Sequence, residues 1–139
     1  PPSGGELEAM RATVRAALGE ASARLGAAPP GCVLVGVAGT VTTLAAYLRG
    51  VAPYDAARIH GAHIGDAEMR AALDTLAALP VAARKQIPEI DPARADVIVA
   101  GAVIVDEVLR WASPSSRDLV VSDRGVRWGL AERLTAGAR

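Results

Sequence analysis

VLVGVAGTVTTLAAYL, residues 33–48, starts as a buried strand and finishes as a helix. Its first six residues are apolar and rich in valine, which favours extended structure. Gly39 breaks the run, Thr40, Thr42 and Thr43 follow, and Leu44–Leu48 reads as helix. A strand that turns directly into a helix leaves the first helical N–H groups without partners. The helix dipole adds partial positive charge at the same place. Such a corner holds a phosphate group without needing Lys or Arg.

The glycine spacing in Gly36–Thr40 is wrong for a dinucleotide fingerprint, and no Gly-Lys-Ser/Thr follows to make a P-loop. No Gly-x-Ser-x-Gly nucleophile elbow is present. The plainer reading of the corner is that Thr40 caps its helix and Gly39 permits a tight turn.

Outward from this corner, Ser3-Gly-Gly-Glu6 has capping-box spacing, and Leu7, Met10, Val14, Leu18, Ala21 and Leu25 recur at helical steps. The pattern predicts a helix over 4–25, stopped by Gly26 and the loop at 27–31. A strand over 32–37 precedes the Gly39-Thr40 helix, which Gly50 ends. Pro53-Tyr54-Asp55 reads as loop and Ile59–Gly65 as a short extended segment. Asp66 is placed as the cap of a helix carrying Met69, Leu73, Leu76 and Leu79, which Pro80 terminates. A helical turn is expected over 81–86. Asp91-Pro92 is the strongest helix start, opening a helix over 92–112 that is apolar nearly all round between Ala95 and Val105. Ser113–Arg117 reads as loop, Leu119–Ser122 as strand and Arg124–Leu134 as a last helix. Two strands, each leading into a helix, predict an α/β layer with a short parallel sheet.

The chain has 139 residues, 51 % of them apolar, enough for one domain spanning 1–139. Aromatics make up 3 % and Phe is absent, so Ala, Val, Leu and Ile must build the core. Acids and bases balance at 15 each, so no net field draws the chain to nucleic acid or a membrane. Cys32 stands alone, which leaves no disulfide framework and fits a cytoplasmic location. The start has neither an initiator Met nor a basic region, and two strands make a poor sheet. The chain is therefore expected to be a piece of a longer protein, or to be completed by another copy as a homodimer.

Gly101, in the middle of the helix predicted over 92–112, costs about 1 kcal/mol relative to Ala. Close approach of another backbone is the simplest compensation. His60 and His63, with Asp66 and Glu68 nearby, resemble a metal set, but Gly61 and Gly65 argue against the helix that would align them. Asp106 and Glu107 are adjacent and so face different ways. Asp123 ends a strand, where α/β proteins often place functional groups. Arg124 and Arg127 flank it, within reach of a polyanion.

Three blocks, Gly36–Leu44 (GVAGTVTTL), Pro92–Val105 (PARADVIVAGAVIV) and Leu119–Leu130 (LVVSDRGVRWGL), together resemble the later part of the exopolyphosphatase and guanosine pentaphosphate phosphatase (Ppx/GppA) family. The resemblance runs from Glu6 to Leu134. It implies the C-terminal part of the second of two ribonuclease-H-like domains, the fold shared by actin, sugar kinases and heat-shock ATPases. Gly39 and Thr40 then become a phosphate-facing corner with Thr42 and Thr43 behind it, and Gly101 lies at the hinge. The implied activity is hydrolysis of the terminal phosphoanhydride of inorganic polyphosphate or of guanosine pentaphosphate, with Mg²⁺. Two departures matter. Trp128 stands where the family's Gly-hydrophobic-Arg-Glu-Gly block has Glu, and no Asp-x-Gly-Gly-Gly-Ser loop occurs. No catalytic residue is therefore expected here, and the chain by itself is expected to be inactive without the missing N-terminal domain. Two other readings stay open: an acetate- or sugar-kinase-like phosphotransferase domain, and a non-catalytic binding or assembly module.

Overall fold

A computed structural model describes residues 1–26, 29, 31–112 and 118–136. The expected loop at Ser113–Arg117 lies outside the described residues, as do positions 27, 28 and 30 of the loop expected after the first helix.

Helix α1 (Gly4–Leu25) opens on the expected capping box: the Glu6 amide donates to Ser3 Oγ at 3.2 Å, and the Ser3 amide donates to Glu6 Oε2 at 2.7 Å. None of its residues is fully buried. Leu7, Met10 and Val14 pack half-buried against the core, but Leu25 at the end of the predicted stripe is exposed.

Strand β1 (Leu34–Val37) leads into α2 (Gly39–Arg49), which closes at Gly50 in the left-handed region. The segment expected to be extended splits into a helical turn, α3 (Ala56–Ile59), and a short strand, β2 (His63–Gly65). Asp55 causes the turn, its carboxylate accepting from the Ala57 amide at 2.9 Å. Helix α4 (Asp66–Ala78) has Gly65, not Asp66, at its cap position. Asp66 is the first helical residue and pairs instead with Arg70 at 2.7 Å. A short helix α5 (Val81–Arg84) follows.

Asp91-Pro92 does start helical structure, but only a 3₁₀ turn over Pro92–Arg94. The long helix α6 begins at Ile98 and runs to Ala112. Strand β3 (Asp118–Ser122) and helix α7 (Val126–Ala136) complete the chain.

The sheet has three strands in the order β1-β3-β2. β1 and β3 are parallel, with Leu34 opposite Leu119 and Val37 opposite Ser122. β2 runs antiparallel to β3, so the sheet is mixed rather than purely parallel. Its inner face buries Ile64, Leu119 and Val121 against α2 and α4, which in turn pack on α6. Gly36 belongs to that face: a Cβ there would lie 2.9 Å from Val41 Cγ1 and 3.0 Å from Leu119 Cδ1. The strand read as buried is covered on one side only, since Val35 and Val37 are exposed.

Helix α6 is likewise not buried all round. Ala102 and Val103 are sealed in the core, while Ile104 faces outward, as does Val97 in the turn just before the helix. Its buried face ends in charge. Asp106 and Glu107, expected to point apart, are bridged by one guanidinium: Arg11 Nη1 lies 2.5 Å from Asp106 Oδ2 and 2.6 Å from Glu107 Oε1. Arg15 adds a second bond to Glu107 at 2.9 Å, and Arg110 approaches Asp106 at 3.3 Å. Arg15 and, secondarily, Arg11 hold the Glu107 carboxyl below the usual carboxylate range against the opposing effect of burial. The Trp111 indole N–H donates to Ser22 Oγ at 2.5 Å, so polar bonds join α1 to α6 beside the apolar packing of Leu7, Met10 and Val14. No helix among the described residues is long and apolar enough to cross a membrane.

Candidate functional site

The turn from β1 into α2 passes through Ala38, whose φ of 71° and ψ of 177° place an alanine in backbone space that is essentially glycine-only. Ala38 occupies the cap position, and no side chain caps the helix there. Thr40 is therefore not a cap. Among the described residues the amides of Gly39, Thr40 and Val41 have no hydrogen-bond acceptor. The first satisfied amide is that of Thr42, which donates to the Ala38 carbonyl at 3.2 Å. The Thr42 hydroxyl also donates to the Ala38 and Gly39 carbonyls, each at 3.3 Å.

Gly39 is closely approached by Arg94. A Cβ built on it would fall 1.8 Å from Nη1 of Arg94, so the guanidinium lies directly on the helix start. Arg94 is exposed and has no ion-pair partner among the described residues. A cation at the positive end of a helix is unfavourable by itself; an anion between the two relieves both.

Gly101 is closely packed, but by the side chain of Thr40 and not by the backbone expected there. A Cβ at Gly101 would lie 2.6 Å from Thr40 Cγ2 and 3.0 Å from Thr40 Oγ1. Thr40 thus turns its side chain into α6. Thr42 and Thr43, expected behind it, line the open cleft instead.

That cleft has a volume of about 570 Å³. Ala38, Gly39, Thr42 and Thr43 form one side, and Arg94 overhangs it from the 3₁₀ turn. Tyr54 and Asp123 form another, joined by a bond from the Tyr54 hydroxyl to Asp123 Oδ1. Burial, with Asp123 adding to it, pushes the Tyr54 hydroxyl above its ordinary pKa, so it remains a donor. Glu89 and Asp91 complete the wall.

Arg124 and Arg127 do not enter this cleft. Arg124 stacks over the Trp128 ring at 5.4 Å, and Arg127 lines a neighbouring groove that shares Ala38 and Asp123. His63 faces Asp118 at 3.6 Å, apart from His60. No three His, Cys, Asp or Glu side chains converge as a metal site among the described residues. The sequence reading missed Arg94 and Tyr54 as cleft residues, although Arg94 lies within the block quoted at 92–105 and Tyr54 within the recognised loop.

The family model for "Ppx/GppA phosphatase family" matches residues 1–135. Exopolyphosphatase 2 of Mycobacterium tuberculosis is 34 % identical over 102 residues, 72 % of this chain and 32 % of the relative. The crystal structure of the Aquifex aeolicus member of the Ppx/GppA family superposes with a TM-score of 0.85 at 29 % identity, covering 98 % of this chain and 43 % of that one. An exopolyphosphatase from Cytophaga hutchinsonii shares the fold, with a TM-score of 0.78 at 19 % identity. The chain spans about a third of the length of the curated relatives it matches. The helix-rich α/β architecture around a small sheet is the actin-like fold expected of a partial ribonuclease-H-like domain. By sequence model and by fold, the chain belongs to the Ppx/GppA phosphatase family.

Proposed function

We propose that this chain forms one wall of the active-site cleft of a phosphoanhydride hydrolase, which releases terminal phosphate from inorganic polyphosphate or guanosine pentaphosphate. One observation carries the reading: the amides that open α2, unpaired among the described residues, lie beside the guanidinium of Arg94, which has no carboxylate partner among those residues either. In phosphoryl transfer, charge spreads over the equatorial oxygens as water attacks in line. Backbone N–H groups and a guanidinium preset at that position stabilise the charge without reorganising. Gly39 brings Arg94 onto the helix start, Thr42 and Thr43 line the wall, and Thr40 fixes the height of α2 against Gly101.

On this reading the carboxylate that activates water belongs to the N-terminal domain, and the isolated chain is inactive. Magnesium commonly binds through one or two carboxylates plus substrate phosphates. These described residues offer no self-contained site for it, and no step here depends on one.

The test is phosphate release by the full polypeptide that carries this sequence, and by its Arg94→Met variant. Replacing a charge-assisted donor is expected to lower kcat/KM by about 10- to 150-fold. Unchanged turnover in Arg94→Met refutes the assignment of the corner. Appreciable hydrolysis by the isolated 139-residue chain refutes its role as a single wall.

A further inference from the structure

We infer that Tyr54 and Asp123 are positioning residues: with Thr42 they clamp Ala38 in its strained backbone conformation and so fix the direction in which α2 starts. The inference rests on the phosphatase reading for what that start does, and adds what holds it in place.

A non-glycine residue in this part of backbone space persists only where its surroundings over-determine it. Ala38 has a φ of 71° and a ψ of 177°, and among the described residues no other non-glycine position has a positive φ. The holding begins at its carbonyl, which accepts from the Thr42 amide at 3.2 Å and from the Thr42 hydroxyl at 3.3 Å. The peptide that follows is trans and planar, so the Gly39 N–H points the opposite way, out of the helix start. A carbonyl turned off Thr42 would carry that amide with it. Thr42 thereby sets the direction of the first open amide of α2.

Thr42 is held in turn. Its hydroxyl stands beside that of Tyr54, where it opposes the rise in pKa that burial and Asp123 impose. The Tyr54 hydroxyl donates to Asp123 Oδ1, a bond that spans 69 residues of sequence. Asp123 directly follows β3, and Ala38 directly follows β1, the strand registered on β3 with Val37 opposite Ser122. The contacts therefore close a ring: the two strands fix the spacing of Ala38 and Asp123, and Thr42 and Tyr54 join them across the start of α2. All four residues line the cleft. Tyr54 is half exposed, so removing its hydroxyl leaves the buried core intact.

The experiment is a double-mutant cycle of Tyr54→Phe against Ala38→Gly in the full polypeptide that carries this sequence. It is read by kcat/KM for phosphate release from inorganic polyphosphate of defined length, or from guanosine pentaphosphate if polyphosphate is inert, and by urea unfolding. Glycine takes a positive φ without strain, so in the Ala38→Gly background the corner keeps its form without the clamp. Whatever Ala38→Gly does by itself cancels in the cycle. Tyr54→Phe should lower kcat/KM about tenfold in the wild-type background, on the scale of one hydrogen bond to a charged group, and less than about threefold in the Ala38→Gly background. The unfolding midpoints should couple with the opposite sign. Losing the clamp lets a strained alanine relax, which offsets part of the lost bond, whereas glycine has no strain to release. Tyr54→Phe should therefore lower the urea midpoint more in the Ala38→Gly background than in the wild type. A tyrosine that only stabilises the fold would cost the same in both. Asp123→Ala should reproduce both couplings. Three results overturn the clamp: equal losses of kcat/KM in the two backgrounds, which would put Tyr54 on the substrate itself; no loss in the wild-type background; or equal shifts of the urea midpoint. If the wild type releases phosphate from neither substrate, the phosphatase reading fails, and the unfolding cycle still decides the clamp.

Discussion

Gly101→Ala offers a direct test of the contact between α6 and the first turn of α2. Taken as an isolated helix, α6 would gain about 1 kcal/mol from the exchange. The structure opposes that gain. The new methyl would sit 2.6 Å from Thr40 Cγ2, well inside the separation of about 3.5–4.0 Å at which carbon atoms attract. Overpacking of this kind costs about 1–3 kcal/mol. The net expectation for Gly101→Ala is therefore a loss of about 0–2 kcal/mol instead of a gain. Thr40→Ala removes both crowding atoms and leaves only Cβ, 3.4 Å from the new methyl. In that background Gly101→Ala should recover its helix-propensity benefit, giving a coupling of about 1–3 kcal/mol between the two sites. Urea unfolding of the four proteins in the double-mutant cycle measures it. Two results would refute the reasoning: stabilisation by Gly101→Ala in the wild-type background, or single effects that add within about 0.5 kcal/mol.

Three further perturbations probe the same corner and its support. Ala38→Gly should raise stability by up to about 2 kcal/mol, since backbone strain of about 1–3 kcal/mol is relieved against about 0.5–1 kcal/mol of added unfolded-state entropy. A fall in its melting temperature would contradict the strained geometry. Gly39→Ala should leave stability within about 0.5 kcal/mol, because the far end of the flexible Arg94 can swing away, while KM rises about tenfold as the guanidinium leaves the helix start. Unaltered KM would separate Arg94 from the substrate. Arg11→Met leaves the buried Asp106 without its nearest partner and should cost about 3–5 kcal/mol. The linked pH effect has a definite sign. Arg15 and Arg11 lower the folded-state pKa of Glu107, so its contribution is complete above the ordinary value of 4.5 and is lost as pH falls through the lower folded value. Melting curves between pH 6 and pH 3 should show a shallower acid slope for Glu107→Gln, and parallel slopes would exclude the linkage.

What was legible in the chain follows from the range over which each signal acts. The Gly39-Thr40 corner shows in one continuous run because a strand and a helix differ in period over a few residues. Gly101 shows because a mid-helix glycine needs a compensating contact, although nothing local reveals that Thr40 supplies it. Arg94 was not legible as a cleft residue: its place over Gly39 depends on how the 3₁₀ turn packs across the mouth of α2. The Asp106–Glu107 pair was misread because adjacent helical residues diverge, and the rule concerns their own side chains, not a guanidinium arriving from α1 to bridge both. Apolar patterning also misled where it was strongest. Val97 just before α6, Ile104 on it, and Val35 and Val37 on β1 are hydrophobic yet exposed, because pattern records chemical type and not which face a neighbour covers. Ala38 shows the limit most sharply. A glycine at that position would have announced a turn with positive φ, whereas alanine conceals it. The conformation is held between a strand locked to β3 and a helix locked under α6, so the information that strains Ala38 is carried by residues far from it in sequence. The same two locks hold the Ala38-Gly39 start of α2 on the wall of the cleft. The strain at Ala38 and the opening at Gly39 thus have one structural cause, and relaxing the first tests how tightly the second is held.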